Sequence, residues 1–312
     1  MARRPRGAGT SEKKQVVRSL FERWRRNDLQ DGIAYRADVV RAIGETGADL
    51  STGNPANFLK DLIRKKTVLE NWPEEMVAAK ISARQRYGSE RVLQFFEHPD
   101  DWPSPFPDWH SPTDLTPVYT VQSVSMDSLA RSLGRTEESW LTQIAVNLHL
   151  VHTQLALYSP PLLRDRIRDV RHLQMSIKTQ PEIDAAFVAT YRSPTEGAHE
   201  NLFITLEAKQ RDERILVDQI REQVAKAFDI TGHLDDPPID AVKPLALQVV
   251  RLERDGLLES MFFLVEFSTV YRDEFENSYR SSRVDEEALY RLPLEECSAT
   301  LYRLRPRVPA LQ

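Results

Sequence analysis

Cysteine is almost missing from this chain: one, Cys297, in 312 residues. That excludes a disulfide framework and any zinc site built from several thiolates. Cys297 also has no histidine or charge pattern beside it that would mark a nucleophile. Glycine is scarce at 11 residues, which excludes a collagen-like repeat. Long apolar runs are missing too. None approaches the roughly 18 residues that a membrane span needs. The first residues are basic but no apolar stretch follows them, so a secretory signal is not expected. The reading at this level is a cytoplasmic protein with no membrane partner. With 41% hydrophobic and 29% charged residues, the chain has enough apolar material for one large domain or two smaller ones.

The net charge of −5 looks unfavourable for a polyanionic partner, but it is unevenly spread. Residues 1–100 hold 19 Lys+Arg against 14 Asp+Glu, a net of +5, and residues 101–312 carry −10. Between the halves, residues 98–118 contain six prolines. Proline removes a donor and disfavours helix in the residue before it, so this stretch is expected to be a linker. The expected division is 1–97, helical; 98–118, linker; and 119–312, a second domain. The linker rings Trp102, Phe106 and Trp109 are read as pins holding the loop rather than as platforms for a base.

The first part reads as all-helical. Helices are expected at about 12–27, at 36–46 and from Asn54-Pro55, where Asn caps and Pro fits the first turn. Phe58, Leu62 and Ile63 make the apolar stripe of the third, and Asn57, Lys60, Arg64 and Lys65 lie on its other face. Three short helices ending in one that shows amides and bases suggest a helix-turn-helix-like arrangement, with a solvated helix face as the alternative. Arg84 and Arg86, beside Tyr87-Gly88, are further candidates for phosphate contact, with an ordinary surface turn as the alternative.

The second part mixes helices and strands. A helix is expected over 137–157, with Leu141, Ile144, Leu148, Val151 and Leu155 on one stripe. Thr136 is a candidate cap, and Glu137 and Glu138 suit the first turn. A charged helical turn, Leu163 to Val170, gives way to alternation at Leu173, Met175 and Ile177. Strands are expected over Ile183–Thr190 and Asn201–Ala208, with a hairpin tip at Ser193–Gly197. A helix over 212–228 and strands at Leu245–Val250 and Met261–Phe267 complete the order. This is an α/β domain with a mixed central sheet flanked by helices.

The acids fall at strand ends. Asp184 opens one strand, and Glu207-Ala208-Lys209 closes the next. Glu207 and Lys209 share a strand face, and pairing the strands as a hairpin sets Asp184 against them. Two carboxylates that close repel unless a cation sits between them, which points to a hard divalent ion. Glu266 is the nearest competing acid, without a lysine two residues on. His149 and His152 are three apart but lack a third ligand at a recognisable spacing.

Pro181, Asp184 and then Glu207-Ala208-Lys209 resemble the signature of the PD-(D/E)XK nuclease superfamily, which includes most type II restriction endonucleases. The resemblance covers roughly residues 136–270. Its proline stands three residues before the aspartate rather than next to it. The resemblance implies a restriction-endonuclease-like core and Mg²⁺-dependent, sequence-specific hydrolysis of double-stranded DNA. Asp184 and Glu207, with the Ala208 carbonyl, would hold the metal, and Lys209 would assist the attacking water. An upstream helix acid, Glu137 or Glu138, would join them, with helix capping as the alternative. A glutamine after the motif (Gln210, Gln219 or Gln223) would too, with solvated helix residues as the alternative. A homodimer is implied, with a cognate DNA methyltransferase as a functional pair only. The alternatives are a DNA-binding regulator or defence protein with a degenerate nuclease fold, and a repair or structure-specific nuclease.

Overall fold

The computed structural model describes residues 11–53, 55–86, 90–126, 138–192, 199–234, 238–254, 256–282 and 285–308. Two compact units divide the chain, Met1–Trp109 and His110–Gln312. The proline-rich stretch therefore contributes to both units.

In the first unit the helices are α1 (Glu12–Arg25), α2 (Arg36–Thr46), α3 (Pro55–Arg64), α4 (Val68–Asn71) and α5 (Glu74–Ala78). The apolar residues of α1 and α2 come back every three or four positions, and Val16, Val17, Leu20, Val39 and Ile43 are buried. Gly47 ends α2 in the left-handed conformation (φ 65°), where a side chain would be strained. The unit is not all-helical. An antiparallel sheet in the order β1-β3-β2 joins Ile33–Tyr35 (β1), Ile81–Gln85 (β2) and Arg91–Glu97 (β3). The strands are short and carry arginine and glutamine among their apolar residues, which hides their alternation. Gly32 lies so close to β3 that a Cβ would stand 2.4 Å from the Phe95 carbonyl oxygen. Phe106 meets Trp72 edge-on at 4.7 Å, and Trp102 stacks on His98 at 5.7 Å, so rings of the proline-rich stretch do pin it down.

The second unit is mixed α/β. Its eight-stranded sheet runs β4-β11-β9-β8-β7-β6-β5, with the short β10 beside β8. The strands are β4 (Val118–Gln122), β5 (Ile167–Ile177), β6 (Ile183–Arg192), β7 (His199–Lys209), β8 (Ala241–Arg254), β9 (Leu257–Phe267), β10 (Val270–Tyr271) and β11 (Glu296–Arg305). Pairing is antiparallel except at β7–β8 and β11–β4. The 137–157 pattern is not one helix. It gives α6 (Glu138–Asn147), then a break at His149 (φ 53°), then α7 (Leu150–Thr153) and a wider π turn at Gln154–Tyr158. The expected apolar stripe still holds: Leu141, Ile144, Leu148, Val151 and Leu155 are all buried against one sheet face. The turn expected at 163–170 is α8 (Pro161–Arg164), and β5 begins already at Ile167. Helix α9 (Val217–Thr231) covers the opposite face and makes the crossover that the parallel β7–β8 pair requires. It starts five residues later than expected, because Ile215 is packed into the core from an extended segment. Thr136, Glu137 and the 193–197 tip lie outside the described residues.

Candidate active site

The β6–β7 ladder pairs Ala185 with Leu206, which brings Asp184 opposite Glu207 at the strand ends. Alternation then puts Glu207 and Lys209 on the α9 face of β7. Both are almost fully buried, at 2% and 0% exposure. The Lys209 ammonium pairs with Glu207 Oε1 and stands 3.5 Å from Glu138 Oε1, at the first turn of α6. Asp184 Oδ2 accepts a hydrogen bond of 2.8 Å from the Ala208 amide. One helix acid, Glu138, is thus brought to the cluster.

Helix α9 adds two amides. Gln219 Nε2 donates to Glu207 Oε1, and Gln223 Nε2 donates to Glu207 Oε2 and, at 2.7 Å, to the Glu182 carbonyl. Gln219 and Gln223 are 6% and 0% exposed, so the solvated-helix reading of these residues does not hold. They lie four apart, one helical turn, and point along the same face onto the sheet. Their carbonyl oxygens, Oε1 of each, are buried without a hydrogen-bond partner among the described residues. Gln210, at the end of β7, donates its backbone amide to Glu213 instead.

Burial, and then repulsion from Glu207, push the Asp184 carboxyl up to about 8, although Lys209 pulls it down. Two buried acids therefore face each other with too little positive charge between them. Among the described residues no group of three or more His, Cys, Asp or Glu is arranged to hold a metal ion. The donors present are the carboxylates of Asp184 and Glu207, with Glu138 beside Lys209. That set suits a hard divalent ion that keeps several waters, and the orphaned glutamine oxygens could accept from such waters.

The other candidates are arranged differently. Asn57 is exposed on α3, and Arg64 and Lys65 are half-buried at and just beyond its end. Lys60 lies on the same helix. Phe58, Leu62 and Ile63 pack inward as the pattern requires. Arg84 stacks on Phe96, 4.3 Å from the ring centroid. Arg86 is 7% exposed and donates to Gln94 Oε1 at 3.0 Å. Arg86 is thus held against Gln94 just past the end of β2. Glu266 belongs to a separate buried network on the α6 face: Lys243 at 2.7 Å, Ser159 at 2.7 Å and Ser298 at 2.8 Å. His152 bonds the Val170 carbonyl at 3.0 Å, and burial, then His149, hold its ring below the ordinary histidine range.

In comparisons with known proteins, no family model and no curated protein matches the chain. No helix among the described residues is long and apolar enough to cross a membrane.

Proposed function

We propose that the protein is a Mg²⁺-dependent deoxyribonuclease of the PD-(D/E)XK type with a restriction-endonuclease-like core, acting on double-stranded DNA as a cytoplasmic, sequence-specific type II endonuclease. The observation that carries this reading is the convergence of Asp184, Glu207 and Lys209 at the ends of two adjacent strands, with Glu138 beside them. Asp184, Glu207 and the Ala208 carbonyl would hold the metal. Bound there, the ion would polarise a phosphoryl oxygen and acidify a coordinated water. Lys209 supplies a fixed ammonium that orients the attacking water and offsets charge developing on the phosphate. Gln219 and Gln223 fix the Glu207 carboxylate through both its oxygens. Water adds to phosphorus, the bond to the leaving sugar oxygen breaks, and that oxygen takes up a proton. A homodimer would supply one such centre per strand of a palindromic site.

The test is incubation of the full chain with phage DNA in Mg²⁺, with an EDTA control and sequencing of the ends. Discrete fragments are expected. A smear would remove sequence specificity. No cutting would favour a DNA-binding regulator with a degenerate nuclease fold. Asp184→Ala and Lys209→Ala should each lower cleavage by about a thousandfold or more while duplex binding persists. Unchanged cleavage in either variant would remove the site assignment.

A further inference from the structure

One buried carboxylate on the sheet gathers three arginines, and the chemistry proposed above does not use them. Glu259 on β9 is 2% exposed. Arg303 Nε stands 2.9 Å from its Oε2, and Arg305 Nη2 and Arg307 Nη2 share its Oε1 at 2.5 and 2.7 Å. Arg305 and Arg307 are 40% and 51% exposed. Two guanidiniums on one oxygen leave positive charge and further N–H donors at the surface.

The register places this group relative to the acids. Glu207 pairs with Ala246, Ala246 with Val265, and Val265 with Ala299, so these four lie at one level and on one face. Glu259 pairs with Leu252, an even number of residues from Ala246. The β9–β11 pairs end at Phe262–Tyr302, and extending that register sets Arg305 beside Glu259, which its guanidinium bonds. The arginines therefore share the Glu207–Lys209 face, beyond the end of β7. Arg305 is three strand spacings across and six residues along from Glu207, roughly 25 Å at about 4.8 Å per strand and 3.3 Å per residue. At about 3.4 Å per phosphate that is about seven nucleotides of one strand.

We infer that Arg305 and Arg307, braced by Glu259, form a second docking point for the phosphate backbone of the duplex that the Asp184–Glu207–Lys209 centre cuts. The inference rests on the nuclease reading for its substrate. Guanidiniums tethered to a buried carboxylate lose little freedom on binding, and their planar fork suits phosphate oxygens.

Duplex affinity of the full chain is measured by fluorescence anisotropy in EDTA over a salt series, beside cleavage in Mg²⁺. The variant is Glu259→Gln/Arg305→Gln/Arg307→Gln, which leaves no unpaired acid behind. Arg305→Lys/Arg307→Lys keeps the charge. The triple variant should reduce the slope of log affinity against log salt by about 2, and the lysine pair should keep most of it. An unchanged slope in a folded triple variant, with wild-type cleavage intact, overturns the docking point and spares the nuclease. An arginine-dependent slope without wild-type cleavage supports the docking point and overturns the nuclease. No duplex binding by the wild type overturns the inference.

Discussion

Asp184 stands across the β6–β7 ladder from Glu207, and its Oδ2 is tied to the amide of Ala208 at 2.8 Å. The two acids are thereby fixed against each other, and the strain of that arrangement appears in protonation. Burial and Glu207 raise the Asp184 carboxyl from 3.8 to about 8. Over that interval the folded carboxyl keeps a proton that the unfolded one has released. Unfolding then releases a proton, so this group makes stability fall as pH rises from about 4 to about 8. In EDTA, Asp184→Asn should remove this component, and its melting temperature should gain on the wild type by roughly 5 °C between about pH 5 and pH 8. Mg²⁺ should shrink the difference. A gap that does not change with pH would contradict the protonated state.

Gln219 and Gln223 hold one oxygen each of a carboxylate that is almost fully buried. Gln223→Leu should destabilise the fold by about 1–3 kcal/mol, because it strips a donor from a buried anion. It should also weaken Mg²⁺ by about 10–100-fold. Denaturant melts and metal titration of cleavage check the two effects separately.

In the first unit, Lys60→Ala/Arg64→Ala/Lys65→Ala should weaken duplex binding and flatten its salt dependence, if α3 meets DNA. Arg86→Ala should behave oppositely. It should cost about 1–3 kcal/mol of stability through the lost Gln94 bond and leave the salt slope alone. Equal slopes for wild type and the triple variant would remove α3 from the interface.

His149 sits in a left-handed conformation (φ 53°) where α6 breaks into α7. His149→Gly should therefore raise stability by about 1 kcal/mol, read as a shift of the urea midpoint. A loss instead would mean that its ring, 4.9 Å from His152, contributes more than the backbone strain costs.

The core acids were legible because their signal is local: strand alternation fixes which side Glu207 and Lys209 share, and a hairpin delivers Asp184. The glutamines were legible by position but not by state. Hydropathy marks Gln219 and Gln223 as solvent-facing, and only the contact of α9 with β7 shows that their face covers a buried acid. Strands β4 and β11 were not anticipated. The β4 residues sit at the edge of a proline-rich stretch, and their partner lies about 180 residues further along the chain. The three-stranded sheet escaped for a related reason. Arg84, Arg86 and Gln94 break its apolar pattern, and their side chains satisfy one another or stack on a ring once the strands meet.

The crossover from β7 through α9 to β8 also has a temporal meaning. Asp184, Glu207, Lys209, Gln219 and Gln223 all come from one stretch of 40 residues, so their mutual loops are short and inexpensive to close. The pairing of β11 with β4, by contrast, joins Val118 to Leu301 and waits for about 180 further residues to be synthesised. The residues of the centre can therefore meet on a nascent chain before the sheet is closed. The arginines of β11 emerge after these residues, so a ribosome-bound chain would carry its acids and lysine before it carried Arg305 and Arg307.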